Sequence, residues 1–251
     1  MSFLEATATS VDWKSRTVSC ESVVCEGNSC TIDTFDIPYD RLLVTVGATT
    51  NTFGIPGVRE HCNFLKQIGD ARRIRTGIVN CFERANLPGL SDEQRDNTLT
   101  FAVIGAGPTG VEFASELRDF VEQDGPTFYK HLLRHVSIKV IEASGTVLAP
   151  FDESLQEAAV KALTSSSTGL GNITELLLDS GVAEVKPDVI LLNDGRSIPY
   201  GLSVWAAGNG PAPLTVGLIS ELEEEQGEAQ REARGRLAVD PWMRVLGGDG
   251  R

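Results

Sequence analysis

The stretch TLTFAVIGAGPTGVEFASELRDF, residues 98–120, decides the fold. An apolar run, Thr100–Ile104, leads into a turn that contains three glycines, and apolar residues then recur at helical spacing. The run predicts a buried strand, and the pattern after the turn predicts a helix over Pro108–Val121. A strand, a glycine-rich turn and a helix in this order are typical of an α/β unit that binds a dinucleotide.

The turn has the pattern G-x-G-x-x-G, with Pro108 and Thr109 between the last two glycines. We predict that Gly105 permits the tight turn, that Gly107 lets a pyrophosphate approach the backbone, and that Gly110 lets the helix pack closely on the strand. The pyrophosphate would sit on the free N–H groups of the helix N-terminus. The alternative is a glycine-rich strand–helix turn that binds no ligand.

An acidic residue, Glu142, closes the next apolar run, Val136–Ile141. A carboxylate at this position accepts hydrogen bonds from the adenosine ribose and repels a 2′-phosphate, which favours NADH over NADPH. Glu142 follows the turn at more than the usual spacing of about 20 residues. The added segment, EQDGPTFYKHLLRH, predicts an extra turn and helix.

The flanking segments predict both strands and helices, which indicates a mixed α/β protein. We expect short antiparallel strands over 5–36, a buried strand over Leu42–Val46, a helix within 64–86 with apolar Ile68, Ala71, Ile74, Ile78 and Phe82, a short helix capped by Ser91, a helix over Glu153–Leu163, a loop over 164–172, strands within 188–213, and a charged helical face or loop over 221–236.

Composition excludes several functional classes. The formal net charge of −13 argues against nucleic acid as the main partner, because phosphates would be repelled. The sequence has no run of 18 apolar residues that would span a bilayer, and its start resembles neither a secretory signal nor a transit peptide. Five cysteines in a chain of this length favour reduced thiols.

Three of those cysteines, Cys20, Cys25 and Cys30, are spaced C-x4-C-x4-C. A redox pair of the disulfide-reductase type and a metal site are two interpretations of this spacing. The spacing is not C-x2-C and no histidine lies near, so we predict structural, reduced thiols and no metal site. Cys62 and Cys81 lie on or beside the predicted helix of 64–86, and we expect them to be packing residues.

Longer motifs carry a resemblance to one family. The segments YDRLLVTVGATTNTFGIPGVREHCNFLKQIGDARRIR, LPGLSDEQRDNTLTFAVIG and GAGPTGVEFASELRDFVEQD resemble type II NADH:quinone oxidoreductases, the rotenone-insensitive enzymes that do not pump protons. VWAAGNGPAPL and GRLAVDPWMRVLG are similar to later signatures of that family. The resemblance covers roughly residues 5–160 and 186–248.

The resemblance implies a Rossmann-like three-layer NADH domain inserted into an FAD/NAD(P)-binding domain. We expect a partial FAD-binding domain over 1–97, the NADH-binding domain over 98–208, and a return to the FAD-binding domain over 209–251. The family has its own strand–glycine motif–helix for FAD before these segments, and this chain does not contain it. We therefore expect the chain to be the middle of a longer enzyme, with its FAD-binding domain incomplete; a genuine short protein is the alternative.

The same resemblance implies roles for individual residues. Gly47 and Ala48 match the turn where the family's chain leaves the FAD domain near the flavin, and Gly208 matches the turn that leaves the NADH domain. Glu112 matches a glutamate near the nicotinamide, where it would hold the carboxamide. Stabilisation of the helix N-terminus is an equally good explanation for Glu112.

The implied reaction is hydride transfer from NADH to FAD, followed by reduction of a quinone. The implied location is the surface of the mitochondrial inner membrane, with peripheral attachment, and a homodimer is compatible with it. One alternative is a non-catalytic NADH-binding module without flavin. Another is a different flavoprotein of the same build, such as one resembling a ferredoxin reductase or apoptosis-inducing factor.

Overall fold

A computed structural model describes residues 2–26, 29–165, 171–233 and 235–247. The strands are β1 (Thr7–Asp12), β2 (Thr17–Glu26), β3 (Ser29–Pro38), β4 (Ala48–Thr50), β5 (Asn63–Phe64), β6 (Thr100–Ile104), β7 (Ser137–Ile141), β8 (Thr174–Leu177), β9 (Val182–Val185), β10 (Val189–Leu192), β11 (Ser197–Pro199), β12 (Leu202–Trp205) and β13 (Asn209–Pro211). The helices are α1 (Val58–His61), α2 (Ile68–Ala85), α3 (Asp92–Thr98), α4 (Pro108–Gln123), α5 (Gly125–Phe128), α6 (Glu153–Thr164) and α7 (Pro213–Glu232), with a 3-10 turn over Leu133–His135.

The chain forms two compact units, Thr50–Gly208 and a second made of Met1–Thr49 with Asn209–Arg251. The boundary between the compact units, at 49/50, differs from the domain boundary expected from sequence at 97/98, and the division into FAD- and NADH-binding domains stays a prediction. The physical reason for the difference is α2, which buries Ile74, Ile78 and Phe82 in the same core as β6.

The unit Thr50–Gly208 contains a five-stranded sheet in the order β5-β12-β6-β7-β8, in which every pairing is parallel. Helices α2, α4 and α6 contribute buried residues to the core on one face. An antiparallel sheet, in the order β11-β10-β9, packs in a separate core with the other face. The predicted Rossmann-like three-layer fold is thus confirmed.

The central strand β6 is buried along its whole length. Phe101 and Val103 belong to the core that contains the helices, whereas Ala102 and Ile104 belong to the core with the antiparallel sheet. A strand that packs on both faces has a continuous apolar run, which is the pattern that identified this strand in the sequence. The predicted α4 and α6, and the strand β7, are confirmed with ends that differ by one or two residues.

The helices before β6 confirm two predictions and correct a third. Ser91 caps α3, since its hydroxyl accepts the Gln94 N–H at 3.1 Å while Gln94 accepts the Ser91 N–H at 2.9 Å. Helix α2 lies within 64–86 as predicted, but Ile68 is 78% exposed and Ala71 is exposed. The first apolar side chain that α2 contributes to the core is Ile74, in the second turn, so Ile68 and Ala71 lie outside the apolar stripe.

The unit formed by Met1–Thr49 and Asn209–Arg251 contains the antiparallel sheet β1-β2-β3, as the alternating sequence predicted. It also contains α7, whose Leu218 packs with Val11 and Val18 of the sheet. The predicted buried strand over Leu42–Val46 is wrong. That segment has no strand pairing in the described part of the chain, and Leu43 is 84% exposed.

Among the cysteines whose side chains are described, one departs from the prediction. Cys20, Cys62 and Cys81 are free and buried, as expected, but Cys30 is disulfide-bonded. The register of β2 on β3 sets the backbone of Cys25 opposite that of Cys30. The prediction for the Cys25 side chain, and residues 166–170 of the predicted loop over 164–172, lie outside the described residues.

Helix α7 accounts for most of the charged segment 221–236. Among the described helices, none combines the length and the apolarity needed to cross a bilayer.

Candidate functional site

The glycine turn after β6 uses its three glycines in three different ways. Gly105 has φ +105°, and a Cβ there would lie 2.8 Å from the backbone nitrogen of Ala207. A Cβ on Gly110 would overlap the carbonyl oxygen of Gly105. By contrast, Gly107 has φ −72° and no protein atom within 4 Å of an added Cβ. Packing requires the first and third glycines, whereas the space at Gly107 is open to a ligand.

The turn delivers free backbone N–H groups to that open space. The first helical hydrogen bond of α4 runs from Val111 N–H to Gly107 C=O at 3.0 Å. In the described part of the chain, no acceptor pairs with the N–H of Thr109 or Gly110, and Pro108 has no N–H to offer. Pro108 and Thr109 are exposed. Such N–H groups, together with the helix dipole, favour a phosphate at this end of α4.

Glu142 lies immediately after β7 and is held in place by three hydrogen bonds. Its Oε2 accepts the Ala106 N–H at 2.7 Å, and its Oε1 accepts both the N–H and the hydroxyl of Ser144, each at 2.9 Å. The carboxylate therefore contacts the glycine turn directly, which the distance of 36 residues in sequence does not reveal. It keeps lone pairs available for ribose hydroxyls, because a carboxylate offers about four acceptor sites.

On the other side of β6, the chain leaves β12 through Ala206, Ala207 and Gly208. Ala206 N–H donates to Ile104 C=O at 2.8 Å, so this exit runs beside the glycine turn. Gly208 has φ +72°, and a Cβ there would lie 2.5 Å from Cζ of Phe53. The ends of β6 and β12 thus form the point where the strand order reverses, and ligands of open α/β sheets bind in the crevice there.

The remaining predicted residues lie apart from that cluster. Glu112 is exposed, lies just beyond the first turn of α4, and has no partner among the described residues. Gly47, with φ +70°, and Ala48 belong to the unit of Met1–Thr49 and Asn209–Arg251. There they line a cavity of about 460 Å³, together with Asn209–Pro211 and Leu237.

The thiols of the Thr50–Gly208 unit are poor nucleophiles. Burial raises the pKa of the Cys62 thiol to about 11, although a hydrogen bond with Ser203 opposes the shift. Burial also raises the pKa of Cys81, against the opposing effect of Arg84. Because their pKa values are raised, both thiols stay protonated at neutral pH. Only the thiolate is a good nucleophile, so neither side chain is reactive.

Sequence reasoning missed two contributors to this edge of the sheet. Ser144 orients Glu142, and a hydroxyl residue two positions after the acid was the only signal available. Phe53 covers Gly208, and it lies in a glycine- and proline-rich loop whose sequence does not show which side chain packs at the crevice.

Comparisons with known proteins place this geometry in a family. The family model described as pyridine nucleotide-disulphide oxidoreductase matches residues 1–248. An external alternative NAD(P)H-ubiquinone oxidoreductase B3, mitochondrial, of Arabidopsis thaliana is 40% identical over 99% of this chain and 41% of its own length. A probable NADH dehydrogenase of Dictyostelium discoideum is 36% identical over 97% of this chain and 50% of its own length.

A solved structure agrees with these relatives. The structure of NDH2 from Plasmodium falciparum in complex with NADH has a TM-score of 0.81 and 28% sequence identity, and it covers 98% of this chain and 48% of that chain. The resemblance to type II NADH dehydrogenases is confirmed. The chain spans about half the length, or less, of these relatives.

Proposed function

Because the chain belongs to the pyridine nucleotide-disulphide oxidoreductase family, we propose that its unit Thr50–Gly208 binds NADH. We propose further that the whole protein is an FAD-dependent NADH:quinone oxidoreductase that does not pump protons. The observation that carries the first proposal is the glycine turn, in which Gly107 leaves open space in front of unpaired N–H groups.

Each part of the crevice has a role in holding NADH. The N–H groups of Thr109 and Gly110 would bind the pyrophosphate. Glu142 would accept hydrogen bonds from the adenosine ribose, with Ala106 and Ser144 fixing its carboxylate. Its negative charge would repel a 2′-phosphate, so we expect NADH to bind better than NADPH.

We propose that this chain contributes only part of the FAD site. The sequence contains one G-x-G-x-x-G motif, and NADH accounts for it. Gly47 and Ala48 line a cavity. Neither has a side chain larger than a methyl group, so a planar ring could approach their backbone closely. We therefore propose that these two residues border FAD and that the FAD pyrophosphate is held elsewhere in the whole protein.

When both are bound, NADH supplies a hydride and FAD accepts it, so the protein contributes position and electrostatics. Glu112, near the start of α4, would hold the nicotinamide carboxamide and so set which face of the ring is presented. Gly208 would keep the exit of β12 close to the reacting groups. No side chain has to act as an acid or a base.

The relatives' names support the rest of the proposal. The Arabidopsis thaliana relative is named a mitochondrial NAD(P)H-ubiquinone oxidoreductase, so we propose a quinone as electron acceptor and a mitochondrial location for the whole protein. Peripheral attachment to the inner membrane and homodimer formation belong to the same proposal, and no described contact of this chain bears on either.

The first experiment titrates NADH into the purified wild-type chain and into Gly107→Ala, with NADH fluorescence as the binding signal. A methyl group at Gly107 occupies the space for the pyrophosphate but touches no protein atom, so NADH affinity should fall roughly tenfold or more. The matched control is Gly217→Ala, where an added Cβ also meets no atom within 4 Å. Equal NADH affinity in all three proteins would contradict the proposed site.

A non-catalytic NADH-binding module is the second candidate, because only one dinucleotide motif is present. A visible spectrum, recorded after adding FAD and then NADH without oxygen, separates the two. A flavin band that bleaches with NADH indicates a working oxidoreductase. Saturable NADH binding without any flavin band indicates the module.

A further inference from the structure

We propose that the Phe53 ring forms the apolar wall against which the nicotinamide half of NADH packs. This inference rests on the proposed function, because it names a residue that holds the reactive end of the same ligand. Three observations carry it: the exposure of Phe53, its fixed backbone, and its place at the sheet edge.

Phe53 is held in an unusual state for a large apolar residue. Its side chain is 60% exposed, and its φ of +51° lies in the left-handed region that non-glycine residues seldom adopt. Strained backbone of this kind persists only where the surroundings enforce it, and it concentrates at functional sites.

The surroundings that enforce this state are visible. Phe53 N–H donates to Asn51 Oδ1 at 2.8 Å, and the Trp205 indole N–H donates to Asn51 C=O at 3.0 Å. Asn51 N–H in turn donates to Gly208 C=O at 3.3 Å. Asn51 therefore ties the Phe53 loop to the carboxyl end of β12, and the ring lies over Gly208.

The sheet order tells which half of NADH reaches Phe53. The pyrophosphate would sit at the glycine turn after β6, and Glu142 marks the adenosine side at the end of β7. Strands β7 and β12 flank β6 on opposite sides. The nicotinamide half must therefore extend toward β12, where Ala207 touches Gly105 and the next residue, Gly208, touches the Phe53 ring.

The chemistry of the two groups matches. A nicotinamide ring is flat and largely apolar, and a fixed aromatic side chain offers it a stacking or edge contact that also displaces water. Because the Phe53 backbone is already fixed, little conformational entropy is lost when the ligand binds.

The test compares NADH with ADP-ribose, which has the same adenosine and pyrophosphate but no nicotinamide. Both ligands are titrated calorimetrically into the wild-type chain and into Phe53→Ala, Phe53→Tyr and Phe128→Ala. Phe128 is the matched control, since it is 69% exposed and lies in the same unit. We expect Phe53→Ala to weaken NADH binding roughly two- to tenfold, the range of one aromatic contact, with ADP-ribose unchanged.

Phe53→Tyr retains the ring and should bind NADH like the wild type, as should Phe128→Ala. Unchanged NADH affinity in Phe53→Ala overturns the inference while leaving the proposed function intact. Equal losses for both ligands also overturn it, because they show that the ring only supports the loop. If the wild type binds neither ligand, the proposed function fails, and this inference fails with it.

Discussion

Two segments of the chain share a sequence pattern but differ in structure. Thr100–Ile104 and Leu42–Val46 are both apolar runs of five residues that end at a glycine, and both suggest a buried strand. The first is buried throughout as β6, between β12 and β7. The second forms no strand in the described part of the chain, and Leu42, Leu43 and Val46 are exposed.

The difference shows what an apolar run needs in order to become a strand. Extended backbone must place its N–H and C=O groups in a hydrogen-bonded ladder, and isolated strands do not hold their shape. The β6 run pairs with neighbours on both sides and packs on both faces. The 42–46 run has no paired neighbour among the described strands, so its apolar side chains are not enough.

The largest effect on stability should come from alanine substitution of a glycine that follows each run: Gly110 in the turn after β6, and Gly47 after the 42–46 run. In Gly110→Ala the new methyl group overlaps the carbonyl oxygen of Gly105, and we expect a loss of roughly 4 kcal/mol in unfolding free energy. In Gly47→Ala no atom lies within 4 Å, and only the φ of +70° opposes the change, so the loss should be about 1–2 kcal/mol.

Urea unfolding, monitored by hydrogen exchange of individual peptides, measures the unfolding free energy of each unit separately. Gly107→Ala is the internal control for the turn, because its φ and its open surroundings tolerate a methyl group. A loss in Gly110→Ala no larger than that in Gly47→Ala would mean that the turn is less tightly packed than described.

A second contrast tests the runs themselves. Ile104→Ala removes a buried side chain from β6 and should cost about 3 kcal/mol, the usual range for such a cavity. Leu43→Ala removes an 84% exposed side chain and should change stability by less than about 0.5 kcal/mol. Denaturant midpoints of both variants measure the contrast, and a loss above about 1.5 kcal/mol for Leu43→Ala would reveal packing that the described contacts lack.

Most of the Thr50–Gly208 unit could be predicted because its signals are local. The run of β6, the glycines of the turn and the Ser91 capping box each specify structure over a few residues. The failures were nonlocal. Ile68 has helical spacing with the buried stripe of α2, yet it lies outside the core, and Cys30 is disulfide-bonded although its spacing in the sequence favoured a reduced thiol.

The candidate site divides in the same way. The positions of the three glycines and of Glu142 could be predicted from the sequence, because the motif places the glycines directly after one strand and the acid directly after the next. The hydrogen bond between Glu142 and Ala106 follows only from the pairing of β6 with β7. The position of Phe53 over Gly208 depends on a loop and a strand that are more than 150 residues apart, so no local pattern could indicate it.

The smallest effect on stability compares one carboxylate from each unit, Asp70 and Asp12, which both accept two backbone N–H groups. Asp70 accepts the N–H groups of Lys66 and Gln67 at 2.8 and 2.7 Å and is buried. Asp12 accepts those of Lys14 and Ser15 at 2.9 and 3.0 Å but is exposed. We expect Asp70→Ala to cost about 1 kcal/mol, as loss of a helix cap does, and Asp12→Ala to cost less.

The pH dependence follows from the direction of the pKa shifts. Burial alone would raise the pKa of Asp70, but the N–H groups of Gln67 and Lys66 and the Arg73 guanidinium make the net shift downward. The Ser15 N–H lowers the pKa of Asp12. A lowered folded-state pKa stabilises the fold above the ordinary value of about 3.9, and this contribution is lost as pH falls through the folded pKa.

The difference in unfolding free energy between wild type and Asp70→Ala should therefore be full at pH 7 and shrink below about pH 4. Urea midpoints from pH 7 to pH 3 measure it, and a difference that stays constant over that range would show that the carboxylate charge contributes nothing to the start of α2.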